Sequence, residues 1–153
     1  MAKSERIRNS TIAGKITSAD DAAALIPNGS TIGMSGFTGS GYPKAVPAAL
    51  ARRITDANAK GGHFKVNVWT GASTGPELDG VLASVDGIDL RMPYQSDPIT
   101  RAKINSGEME YLDVHLSHVA QMAWEGVFGH LDFAVIEVAG ISADGELIPS
   151  SSI

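Results

Sequence analysis

The feature that most constrains this chain is an alternation. Short apolar runs are each followed by a glycine-bearing loop and then by a segment with helical spacing. Thr31–Ser35 (TIGMS) leads into Gly36–Gly41, after which Val46, Leu50 and Ile54 recur every four residues. Lys65–Thr70 (KVNVWT) leads into Gly71–Pro76 and then Glu77–Val85, repeating the order. Strand-sized runs separated by helical ones imply parallel neighbours joined by crossovers. The expected fold is therefore α/β, an open and mostly parallel sheet with helices on both faces. At 153 residues and 43% apolar content, the chain can bury one sizeable core and is expected to form one domain spanning residues 1–153.

Local signals fill in the remaining elements. Ser18-Ala-Asp-Asp21 is a loose capping box ahead of Ala22–Ile26, and Pro27-Asn-Gly-Ser30 stops that helix. Pro43 could occupy the first turn of a helix running to Asn58, where a missing N–H costs nothing, and Pro47 inside the pattern either kinks that helix or marks its true start. Ile88–Met92 reads as a third strand, Ile99–Asn105 as a helix closed by Ser106-Gly107, Tyr111–Leu116 as a weaker strand and Val119–Trp124 as a short helix. Phe133–Val138 (FAVIEV) is almost continuously apolar, which suits a central parallel strand covered on both faces. Asp144-Gly145 marks a hairpin between Val138–Ile141 and Glu146–Ile148.

Charge and cysteine usage exclude several functions. Twelve basic residues against 17 acidic ones give a net charge of -5, and no segment gathers the bases into the face a polyanion needs. Nucleic acid is not an expected partner. The absence of Cys removes disulfides, thiolate metal sites and a Cys nucleophile, and fits a reducing compartment. No run approaches the ~20 apolar residues of a membrane span, and Met1–Thr17 lacks the apolar core of a secretory signal. A soluble, cytoplasmic protein is the expectation.

Ligands of open α/β sheets bind outside the carboxyl ends of the strands, where both glycine loops are expected. Gly36-Phe-Thr-Gly-Ser-Gly-Tyr-Pro-Lys44 could present N–H groups to an anionic oxygen, or could be a tight turn needing positive φ. Its G-x-x-G-x-G spacing matches neither the dinucleotide fingerprint nor a P-loop. In the second loop Thr74 is the better helix cap, which leaves Ser73 for a ligand. Asp97, before Pro98, reads as a cap. His115 and His118 are three apart without a third ligand, so no metal is assigned. No G-x-S-x-G elbow is present.

Five strings narrow the reading further: MSGFTGSGYPKAVPAALA (Met34–Ala51), TGASTGPELDG (Thr70–Gly80), RMPYQSD (Arg91–Asp97), INSGEMEY (Ile104–Tyr111) and GELIPSSSI (Gly145–Ile153). Together, in this order, they resemble the amino-terminal part of the acetyl-CoA hydrolase/transferase family, class I CoA-transferases. Members of that family are longer, with two related α/β halves and an active site between them. The resemblance implies transfer of coenzyme A between an acyl-CoA such as succinyl-CoA and a small acid such as acetate. Hydrolysis by water is the alternative, and an inactive structural piece is a third reading.

In the family, a glutamate of the second half attacks the thioester, forming a mixed anhydride and then a glutamyl-CoA thioester. No glutamate of this sequence matches that motif, so no catalytic residue is assigned here, and the carboxy-terminal half is expected as a partner. Coenzyme A enters as a substrate, with no tightly bound cofactor, and a homo-oligomer such as a dimer is expected. The resemblance carries over the acid-binding side. Ser73 matches the serine of a GAS-T-G-P loop that holds the substrate carboxylate. Ser96 stands where relatives have threonine in a P-F-N-T-D type loop, with Tyr94 and Gln95 departing from that pattern. Gly36, Thr38, Gly39, Gly41 and Lys44 match a loop that lines the cleft.

Overall fold

A computed structural model describes residues 5–151. Five strands form one sheet: β1 (Thr31–Met34), β2 (Val66–Trp69), β3 (Ile88–Met92), β4 (Glu110–Tyr111) and β5 (Phe133–Val135), in the order β4-β3-β2-β1-β5. All four pairings are parallel. From β1 the chain steps outward through β2, β3 and β4, then returns to lie on the far side of β1. The strand order thus reverses between β1 and β5, which makes the crevice at their carboxyl ends the topological switch point of the sheet.

The core lies on one face. Ile32, Met34, Val66, Val68 and Ile88 of the sheet pack against Ala23 and Ile26 beside α2 (Ala19–Ala24), Leu50 and Ile54 of α3 (Ala45–Asn58), and Leu82 of α4 (Val81–Ser84). Three of the helices have a legible cause. Ser18 Oγ accepts the Asp21 N–H at 3.0 Å, so the capping box forms. Pro47 sits in the first turn of α3 without breaking it. Asp97 accepts from Ile99 and Thr100 N–H to cap α5 (Pro98–Ser106), and Gly107 closes that helix with φ 77°.

On the second face the Leu131 side chain lies against Gly33, 3.2 Å from where a Cβ there would stand, while α6 (Leu116–Trp124) contributes no buried residue. Trp69 meets Phe128 edge-on at 5.7 Å, while Trp124 is 94% exposed. Among the described residues, no helix is long and apolar enough to cross a membrane.

Three expectations change. FAVIEV does not form one central strand: β5 ends at Val135 and is an edge, paired only with β1 among the described residues. The cause lies at Glu137, whose N–H donates to Ser35 Oγ at 2.8 Å and whose carboxylate holds Lys44, so the run turns away from the sheet. Val138 instead opens β6 (Val138–Ile141), which pairs antiparallel with β7 (Leu147–Pro149) as the expected hairpin. That hairpin packs on the amino-terminal segment, with Ile141 N–H donating to Arg6 O at 2.7 Å. The strand expected over Tyr111–Leu116 shrinks to Glu110–Tyr111, because His115 already caps α6 through Ser117. A helix over Glu77–Val85 forms only partly as α4, preceded by a π-helical turn over Pro76–Gly80.

Candidate functional site

The carboxyl ends of β1, β2 and β3 bring three loops together. The Gly36–Gly41 loop is a closed turn: Phe37 N–H donates to Ser40 O at 3.0 Å and Ser40 N–H returns to Phe37 O at 3.1 Å. Thr38, Gly39 and Gly41 take φ of 44°, 85° and 65°, and Gly36 takes 125°. The loop forms a tight turn with positive φ, and the Phe37 and Ser40 amides are committed within it. Gly36 also has no room for a side chain, since a Cβ there would lie 2.6 Å from Tyr42 Cβ. Its carbonyl accepts Gly71 N–H at 3.2 Å, so the two glycine loops touch through their backbones.

Lys44 does not stand free at this edge. Its ammonium pairs with Glu137 at 2.8 Å, donates to Tyr42 O at 2.9 Å and lies 4.1 Å above the Tyr42 ring. Ser150 Oγ donates to the other Glu137 oxygen at 2.8 Å. The bonds from Lys44 and Ser150 hold the Glu137 carboxyl below its ordinary range. The switch-point crevice is thus bordered by a neutralised pair.

Beneath the second loop lies a buried ion pair. Arg91 Nε donates to Asp79 Oδ1 at 2.8 Å, with both side chains fully inaccessible. Arg91 Nη2 also donates to Thr70 Oγ1 at 2.7 Å, and Nη1 to Met92 O. Thr74 gives both its N–H and its hydroxyl to Asp79 Oδ2, each at 2.7 Å. Thr74 is therefore not the expected helix cap: Gly75 occupies that position without a side-chain bond, and the Thr74 hydroxyl serves the carboxylate instead. Burial alone would raise the Asp79 pKa, but the Arg91 charge and the Thr74 donors outweigh it and hold the carboxyl below its ordinary range. Sequence reading passed over Arg91, whose signal is a charge on an apolar strand, a position that demands a buried partner.

Ser73 and Ser96 meet through Gln95. Ser73 is 1% exposed, and its hydroxyl donates to Gln95 Oε1 at 2.7 Å. The same oxygen accepts Ser96 N–H at 2.9 Å and Asp97 N–H at 2.7 Å. Ser96 itself is exposed. The two serines singled out in the sequence are thus joined by a residue that the sequence marked only as a departure. Tyr42 completes the edge, donating to Glu77 Oε2 at 2.6 Å, and that bond together with burial pushes the Tyr42 phenol up to about 12.

Chemically, the edge offers neutral donors and neutralised charges, a setting that suits a small anion. A hollow of about 590 Å³ lined by Asp20, Arg52, Arg53 and Lys60 faces the later turns of α3, toward the opposite end of the sheet.

The fold and its edge define an open α/β domain with polar loops at the carboxyl ends of its strands. Within that class, residues 1–153 match the acetyl-CoA hydrolase/transferase N-terminal domain, and the chain belongs to that family. It is 45% identical over 97% of its length to the succinyl-CoA:acetate CoA-transferase of Clostridium kluyveri and 40% identical over 88% to the propanoyl-CoA:succinate CoA transferase of Escherichia coli. It is 38% identical over 98% of its length to the acetyl-CoA hydrolase of Schizosaccharomyces pombe. The chain spans 27% of each of the first two relatives and 30% of the third. Among solved structures, RipA from Yersinia pestis shares the fold with a TM-score of 0.54 and 18% identity, over 82% of this chain and 27% of that one.

Proposed function

We propose that this chain forms the acid-binding side of an enzyme that moves coenzyme A between an acyl-CoA and a small carboxylic acid. Ser73 and Ser96 would receive the carboxylate, and the Gly36–Lys44 loop, with Thr38, Gly39 and Gly41, would wall the cleft. The observation that carries the reading is the convergence of Ser73 and Ser96 on Gln95 at the carboxyl edge. The nucleophilic glutamate and most coenzyme A contacts would come from the part of the relatives that this chain does not span. Coenzyme A acts as a substrate, and no resident cofactor or metal enters the proposal.

The reaction is ping-pong. The glutamate carboxylate attacks the thioester carbonyl, releasing the thiolate of coenzyme A and leaving a mixed anhydride. The thiolate then attacks the glutamyl carbonyl, freeing the first acid and forming a glutamyl-CoA thioester. The acceptor carboxylate repeats these steps in reverse and leaves as its own acyl-CoA. This domain's part is to hold the acid oxygens with neutral donors while its charged groups stay paired.

Hydrolysis is the second reading, supported by the fission-yeast relative's name. The two separate in one assay, with this chain grafted in place of the matching 149 residues of the Clostridium relative. Loss of succinyl-CoA that requires acetate and yields acetyl-CoA supports transfer. Loss without acetate, yielding free thiol, supports hydrolysis. The ungrafted chain is expected to be inactive in both arms.

A further inference from the structure

We propose that the Gln95 side-chain amide is a second carboxylate donor, forming with the Ser73 hydroxyl a two-pronged clamp on the acid. The inference rests on the reading of this edge as an acid site.

The orientation of the amide is fixed by its neighbours. Two backbone N–H groups, those of Ser96 and Asp97, point at one Gln95 terminal atom at 2.9 and 2.7 Å. Only an oxygen can accept them, so the atom is Oε1 and the other terminus is the NH2 group. Ser73 Oγ lies 2.7 Å from that oxygen, which fixes its hydroxyl as a donor.

The NH2 group is then the anomaly. Gln95 is 6% exposed, and its Nε2 is a buried donor with no partner among the described residues. Buried donors are nearly always paired, and leaving one unpaired is costly. A purely structural residue would not need it, because Oε1 alone ties down the loop. Nε2 shares its carbon with Oε1, so the unpartnered donor lies beside the Ser73 hydroxyl. An arriving carboxylate could accept from Nε2 with one oxygen and from Ser73 with the other. When Ser73 turns away, Oε1 still holds two backbone N–H groups and stays satisfied. The clamp can therefore engage without leaving a new orphan.

Gln95→Glu separates the two roles. A glutamate keeps the acceptor that Ser73, Ser96 and Asp97 use, but replaces the NH2 group with a second acceptor oxygen and adds charge. A structural role survives that change; carboxylate recognition does not. The test is titration of the ¹⁵N-labelled chain with sodium acetate, with acetamide as the neutral control, following the Gln95 side-chain NH2 and the Ser73 and Ser96 amides. Acetate is expected to shift the Gln95 NH2 protons, and Gln95→Glu to bind acetate at least ~10-fold more weakly. Should the Ser73 and Ser96 amides respond while Gln95 NH2 does not, and Gln95→Glu bind as wild type, the inference falls and the acid site stands. If none of these groups responds to acetate, the acid-site reading and the inference fall together. The wild-type NH2 signal keeps the test valid even if the variant does not fold.

Discussion

Asp79 and Arg91, twelve residues apart, close a fully buried ion pair of 2.8 Å that fastens the second glycine loop to β3. The pair is a support for the edge, because Thr70 and Thr74 hang from its two members. Removing one member of such a pair strands the other charge without water. Asp79→Asn is expected to cost about 3–5 kcal/mol. Chemical denaturation of wild type and variant measures it, and a loss under 1 kcal/mol contradicts the assignment.

The same pair sets an acid limit. Asp79 has a folded pKa below its ordinary value of 3.8, so its contribution is fully present above that value and is lost as pH falls through the lower folded one. Wild-type Tm should hold from pH 7 to about 4 and then fall. Asp79→Asn should start lower and show a shallower acid slope.

At the alkaline end the sign reverses. Tyr42 is raised to about 12 from 10.0, so its stabilisation is present below pH 10 and fades as pH climbs toward 12. Phenolate absorbance titrated from pH 9 to 13 should show a late-ionising tyrosine that disappears in Tyr42→Phe. An unchanged late phase would assign it to another tyrosine.

Gly36 and Gly39 share a loop but not a constraint. Both have positive φ, yet a Cβ at Gly39 meets nothing within 4 Å, whereas at Gly36 it strikes Tyr42. Gly39→Ala should cost about 1–2 kcal/mol from backbone strain alone. Gly36→Ala should cost more, and equal losses in Tm would contradict the packing described at Tyr42.

How far the sequence could foretell this structure depended on how local each signal was. The Ser18 and Asp97 caps and the β1–β3 strands rest on neighbours within a few residues, and they formed as read. Phe133–Val138 misled because apolar letters do not say which face is covered. Ile136 is 42% exposed, and the turn at Glu137 depends on Ser35 and Lys44, about a hundred residues away. Ser73 and Ser96 were singled out from the strings they sit in, but Gln95 was not. Its role depends on which backbone N–H groups its oxygen receives, and no letter records that.

The most direct measurement is the KM for acetate and for succinyl-CoA of the grafted enzyme carrying Ser73→Ala. A hydroxyl bond to a charged group contributes about 1.5–3 kcal/mol, so the account predicts a ~10- to 100-fold loss in use of acetate with the succinyl-CoA KM unchanged. Thr74→Ala, which takes a donor from Asp79, should instead lower Tm and leave the acetate-to-acyl-CoA preference intact. An unaltered acetate KM and kcat in Ser73→Ala, or an equal loss for both substrates, would contradict the claim that this edge holds the acid.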